Sequence, residues 1–361
     1  MKFKVLLLAS ALAMSSGSVW AAATSVKTLQ SQLAAAKTAA EYNSILQKAL
    51  ASTTSASTKA SLATAALKAA GSNASLVTAV VSTVTTTSSS KDAASITASI
   101  AKAVPTQAAA VLSNAVTSAP SLAASITSAV AKAVPSNVAA SVVASAIVAN
   151  PKAAETIVAA ASKVVSSQVA NIVTEAVKAN PQAAADIAAA VTNVAPTKAS
   201  AILDAAVKAA PKDQIDEITA AVVLEATDIK GKSQSTQLST ANALVQTAIK
   251  AAGTSATAEQ IAQVSVAAVK SVQTAVINAA VSNAKTETEA NAAVAALSTK
   301  LTDIAKTVSN TVETAVNKTD VSQAVKDAVK DTVATKIDEV KVDKTEAASI
   351  TQQNSSQASP N

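Results

Sequence analysis

Seven prolines recur at near-constant intervals: Pro105, Pro120, Pro135, Pro151, Pro181, Pro196 and Pro211 follow one another in steps of 15, 15, 16, 30, 15 and 15 along the chain. Proline locks its φ, lacks a backbone N–H and pushes the residue before it out of helical geometry. It is therefore tolerated at the first position of a helix and ends the helix before it. A chain punctuated in this way cannot form long helices or central strands over this stretch.

The missing marker falls near Ser166. With Ser90 and Ser166 taken as proline-equivalent, the sixth residue after each marker is Ile96, Val111, Ile126, Ile157, Ile172, Ile187 and Ile202. The unit at Pro135 is one residue longer and shifts to Val142, and the last unit at Pro211 also departs from the rule. A bulky aliphatic at one offset in seven of nine units marks a true internal repeat.

Between markers, apolar residues fall at helical spacing, as in Ile187 and Val191 or Ile172, Val173 and Val177. Asn150 and Asn180, just before proline, are candidate N-caps. A helix of about 11 to 12 residues is only about 17 Å long and marginal alone. Its apolar stripe must be buried by neighbours. The expected fold is all-α: a solenoid of short antiparallel helices with a ~15-residue unit and a ~30-residue hairpin, followed by longer amphipathic helices and a disordered tail. Proline in every unit argues against a β-solenoid.

Residues 1–23 carry Lys2 and Lys4, an apolar run from Val5 to Met14, and small residues at possible cleavage positions. This is the pattern of a secretory signal peptide, with cleavage expected after Ala21 or Ala23. Then come an N-terminal helical segment (24–74), the repeat region (75–226), a linker with a short helix around Gly231 (227–256), long amphipathic helices (257–345) and a polar tail (346–361). Gly71 and Gly253 close near-identical Lys-Ala-Ala-Gly ends and are expected helix C-caps. Leu76 to Thr87, rich in Val and Thr, fits either a helix or an aggregation-prone strand.

The residue types that are missing constrain the chemistry. The chain has no Cys, His or Arg, and one each of Phe, Trp and Tyr among 361 residues. Zinc and iron–sulfur ligation by these residues, a Cys nucleophile and a Ser-His-Asp triad are excluded, as are disulfides. No phosphate-binding glycine pattern occurs. Ser88 with Lys91 and Ser99 with Lys102 match S-x-x-K, but the accompanying K-T-G is absent. No enzyme, cofactor or metal site is expected. Asp213, Asp216 and Glu217 follow Pro211 on one helical face, where the helix dipole alone explains acids.

Charge is uneven. Residues 24–200 carry 12 Lys and 5 acids, whereas 201–361 carry 15 Lys and 18 acids. Lys102, Lys132, Lys163, Lys178 and Lys208 each stand twelve residues after their marker, near a helix C-terminus. Dipole compensation accounts for that position. A sharper expectation is a row of lysines along one edge, meeting an acidic polysaccharide or envelope polymer. Without Arg, and with Tyr42 the single aromatic residue beyond the expected signal, specific nucleic-acid recognition is not expected.

In the C-terminal part, Val321, Val325, Val329, Val333, Ile337 and Val340 form an apolar stripe suited to self-association or to an intramolecular partner. Asp303 with Lys306, Asp327 with Lys330, and Asp338 with Lys341 are spaced for pairing on the polar side. No stretch after the signal is long and apolar enough to span a membrane. The expected function is that of an exported, non-enzymatic repeat protein with a structural, adhesive or envelope-associated role, periplasmic or at the cell surface. The alternative is a periplasmic protective or chaperone-like protein with weakly ordered amphipathic helices.

Overall fold

Each regular proline-marked unit begins with one tight turn of 3₁₀ helix and continues as a short α-helix. The computed structural model describes residues 19–36, 38–227, 233–253, 256–281, 286–318 and 323–338. The expected signal falls largely on residues outside this set. So do Gly231, Val321, Val340, Lys341 and the tail. Helix α1 begins at Val19, so the expected cleavage positions lie within its first turns.

Four helices precede the regular units: α1 (Val19–Ala35), α2 (Ala39–Ala51), α3 (Ala56–Ala70) and α4 (Ala74–Thr87). The repeat helices are α5 (Ser90–Ala103), α6 (Ala108–Ser118), α7 (Ala123–Ala133), α8 (Ser136–Ala149) and α9 (Ala154–Val164). They continue as α10 (Val169–Ala179), α11 (Ala184–Val194), α12 (Ala199–Ala209) and α13 (Ile215–Thr227). Five more complete the described chain: α14 (Gln234–Ala252), α15 (Ala258–Val281), α16 (Glu287–Ala295), α17 (Ser298–Asn317) and α18 (Gln323–Asp338). No strand occurs among the described residues.

The stretch Leu76 to Thr87 is helix. Val77, Val80, Val81 and Val84 are buried on one face, and Thr85, Thr86 and Thr87 turn their hydroxyls back onto the carbonyls of Val81, Ser82 and Thr83. Back-bonding of this kind satisfies a threonine inside a helix and removes the incentive to pair as a strand.

In the units marked by Pro105, Pro120, Pro151, Ser166, Pro181 and Pro196 the residue before the marker has φ between −122° and −143° and ψ between 55° and 78°, outside the helical well, whereas Ser89, before Ser90, is extended with ψ of 156°. The two units that break the sequence rule also break this backbone rule. Val134 and Ala210 are extended instead, and Pro135 and Pro211 sit at the N-cap with ψ of 141° and 145°. Helical geometry then starts one residue later, and the buried position moves from the sixth residue to the seventh, Val142 and Ile218. Glu217, at the sixth position, is exposed.

Ile96, Val111, Ile126, Ile157, Ile172, Ile187 and Ile202 have no solvent exposure. Around them the third, seventh, tenth and eleventh residues are also buried, as in Ala184, Ala188, Val191 and Thr192, which gives each helix one apolar face. Thr97, Thr192 and Thr219 fit these positions by donating to the carbonyls four residues back.

Each of α3 to α13 packs most extensively on the helix two positions along and less on its direct neighbour. Odd helices stack on odd and even on even, in two layers sharing one continuous core. At two junctions, between Ser118 and Pro120 and between Val164 and Ser166, the chain turns by 118°. Two edges result, each a column of junctions. Polar bonds tie successive junctions of one column together: Gln107 Nε2 donates to the Gly71 carbonyl (2.6 Å) and Lys198 Nζ to the Ser166 carbonyl (2.5 Å). On the other edge Asn180 Nδ2 reaches the Pro151 carbonyl (3.5 Å) and Gln260 Nε2 the Lys212 carbonyl (3.4 Å).

The C-terminal helices continue the same scheme. α15 stacks on α13 and α14 on α12; then α17 packs on α14 and α18 on α15, while α16 leans on α15 outside the ladder. The stretch read from sequence as a linker thus holds a 19-residue helix with Ala241, Leu244, Val245 and Ala248 buried. Its polar composition is absorbed by bonds such as Gln237 Nε2 to the Thr227 carbonyl (3.0 Å). Two residues of the C-terminal stripe, Val329 and Val333, are buried in α18, which packs on α15 and α17. No single helix among the described residues is long and apolar enough to cross a membrane.

Candidate functional site

The five lysines singled out by unit position do not form one row. All are exposed. Lys102, Lys132 and Lys163 end α5, α7 and α9, whereas Lys178 and Lys208 end α10 and α12. Consecutive helices run in opposing senses, so the C-termini of odd and even helices lie at opposite edges. A shared position within the unit therefore fixes an edge only for every second unit.

The two groups also differ in their partners. Lys178 pairs with Glu175 at 2.9 Å and Lys208 with Asp204 at 2.8 Å. Both pairs are solvent-exposed and contribute little to stability. Lys102, Lys132 and Lys163 have no carboxylate partner among the described residues.

The other sequence candidates are placed as follows. The Ser99 hydroxyl donates to the Ser95 carbonyl (2.9 Å) and does not engage Lys102. Ser88 Oγ is buried without a hydrogen-bond partner, and Lys91 does not reach it. Asp216 and Glu217 stand in the first turn of α13, beside an open groove of about 360 Å³ between α13 and α15 that Lys270 and Ser271 also line. No group of three or more acidic side chains placed to hold a metal occurs among the described residues. Asp327 accepts from the Gln323 amide (2.9 Å).

Asn150 and Asn180 stand at the N-cap without making a side-chain cap bond. The marker opens a 3₁₀ turn, so the Asn150 carbonyl accepts from Ala153 N–H while proline presents no N–H at all. Gly71 and Gly253 do end helices, with φ of 57° and 72°. Their ψ values of −128° and −169° lie beyond the left-handed helical well. That region is essentially confined to glycine.

Tyr42 is the one aromatic side chain among those described. It is buried, donates its hydroxyl to the Ala66 carbonyl, and burial pushes its pKa up to about 12. It fastens α2 to α3.

No protein-family model matches the chain, and no curated protein does.

Proposed function

We propose that this chain is an exported, non-enzymatic scaffold with a structural or adhesive role at the cell envelope or in an extracellular matrix. The observation that carries this reading is the single core running from Leu29 to Val333 through stacked helices, lined by Ala, Val, Ile and Leu. Such a molecule is long and regular, and its useful feature is a surface repeated at a fixed interval. The signal-like N-terminus and the lack of His, Cys and Arg support the same reading. A loosely ordered protective protein is less well supported, because Val329 and Val333 of the stripe it would present are buried in the packing of α18.

Fractionation of cells producing a C-terminally tagged chain, with N-terminal sequencing, tests the proposal. The expected product lies outside the cytoplasm and starts after Ala21 or Ala23. An uncut cytoplasmic chain overturns export. Circular dichroism on heating is expected to show one cooperative loss of helix, and a gradual loss would favour the protective reading.

A further inference from the structure

Residues 52–209 contain ten lysines and five acids, and the two edges divide them unequally. One edge comprises the junctions α3/α4, α5/α6, α7/α8, α9/α10 and α11/α12. It carries Lys68, Lys102, Lys132 and Lys163 in the last turns of α3, α5, α7 and α9, and Lys198 in the 3₁₀ turn that opens α12. None of the five acids is there. The opposite edge carries Lys59, Lys91, Lys152, Lys178 and Lys208 together with Asp92, Glu155 and Asp186 in first turns and Glu175 and Asp204 in ion pairs. Within residues 52–209 one edge carries lysines alone and the other is balanced; beyond this stretch Glu225, near the end of α13, closes the row, its carboxylate accepting from the Asn193 amide (2.8 Å).

The helix dipole does not produce this division. It favours an acid in the first turn of every helix, on either edge. From α4 to α15, acids occupy first turns of the odd helices α5, α9, α11, α13 and α15 but not of α7, and none of the even helices α4 to α14 has one; α2, before this stretch, carries Glu41 in its first turn. Lys198 stands at a helix start, where the dipole disfavours a cation. It holds its place by donating to the Ser166 carbonyl, a junction in the same column.

We infer that this edge is a binding rail for an acidic polysaccharide, with one lysine presented per two-helix turn. The inference rests on the scaffold reading and names its partner. Helices stack about 8–10 Å apart, so five lysines span roughly 32–40 Å. Duplex DNA carries a charge every ~1.7 Å, far denser than the row, and its phosphates are gripped bidentately by Arg. This chain has no Arg, and its single described aromatic side chain is buried. A polyuronate, with its carboxylates spread over successive sugar rings, matches sparse ammonium point charges. Many screened contacts rather than a pocket supply the affinity.

The test measures binding of the purified full chain to alginate, to neutral dextran and to duplex DNA, at ~50 and ~200 mM salt. Alginate is expected to bind at low salt, more tightly than DNA and without competition from dextran, and to weaken roughly ten-fold or more at the higher salt. Changing Lys68, Lys102, Lys132, Lys163 and Lys198 to Gln is expected to remove at least nine-tenths of the affinity. The matched change of Lys59, Lys91, Lys152, Lys178 and Lys208 to Gln, equal in net charge, is expected to leave most of it. A four-site variant keeping Lys198 avoids disturbing the Ser166 contact, and helical content is checked for all. Equal losses in the two variants, no loss in either, DNA binding as tight as alginate, or no alginate binding each overturn the rail. An exported chain that fails to bind alginate sinks this inference and leaves the scaffold standing.

Discussion

The repeat and the segments flanking it end their helices by different means. In the flanks and at the Ser90 unit that opens the repeat, hydroxyl and amide side chains do the work: Thr38, Ser55, Asn73, Ser89 and Ser233 each accept from a backbone N–H in the first turn that follows, and Gly71 and Gly253 close the far ends of two flanking helices. From Pro105 to Pro211 no helix start uses a side-chain cap. Proline removes one unpaired N–H there, and the 3₁₀ turn satisfies the next through bonds such as Gln107 N–H to the Val104 carbonyl (2.9 Å). The contrast teaches that a repeat can free its cap positions for other uses once proline sets the boundary, so that its stability rests on the shared buried faces.

The largest test attacks those faces. Replacing Ile157, Ile172 and Ile187 by Asp puts an unpaired charge into three successive helices, and a loss of several kcal/mol is expected, with collapse of the cooperative thermal transition. Val333→Asp is expected to loosen α18 while most of the helical signal and the main transition persist, because only the terminal packing is lost.

Next in size is Gly71→Ala. Nothing lies within 4 Å of the added methyl group. Its cost is therefore that of the backbone alone, about 1–3 kcal/mol read by denaturant unfolding. A smaller effect discriminates the two kinds of helix start. Asn73 Oδ1 accepts from Ser75 and Leu76 N–H. Asn73→Ala is expected to cost about 1 kcal/mol, whereas Asn150→Ala is expected to change stability by only a few tenths. Equal costs at the two positions would erase the distinction.

The smallest effect is read through the N-terminal flank. Tyr42 keeps its proton to about pH 12 in the folded chain, against 10.0 for an exposed phenol. Above pH 10 the unfolded chain releases this proton and the folded one retains it, so stability is expected to fall as pH rises from 10 to about 12. Tyr42→Phe is expected to remove that part of the slope. As the protein has a single tyrosine, tyrosinate absorbance reports the titration directly.

The proline spacing and the Ile offset made the units, their helical character and the seven fully buried residues legible before any coordinates. Even the two irregular units announced themselves, through the extra residue in the interval after Pro135 and through Glu217 at the sixth position after Pro211. The lysine pattern misled because position within a unit is counted along the chain, while the helix direction reverses from one unit to the next. Counting in two-helix turns would have grouped Lys102, Lys132 and Lys163. Lys198 lay hidden because it stands two residues after its marker, and Lys68 because it precedes the marker series. The length of the helix expected within 227–256 was hidden for a different reason: Ser, Thr and Gln dominated the count, while the helical spacing of Ala241, Leu244, Val245 and Ala248 set its 19 residues.

The alternation of layers gives the molecule a parity. Duplicating a single unit would reverse the orientation of every helix beyond it and carry each downstream lysine and carboxylate to the opposite side, even though all local packing rules remained obeyed. Duplicating two units together would lengthen the molecule and leave its sidedness intact. Growth or shrinkage of such a chain is therefore neutral to its surface chemistry only in steps of a pair, and an odd change would scramble the charge pattern without unfolding anything.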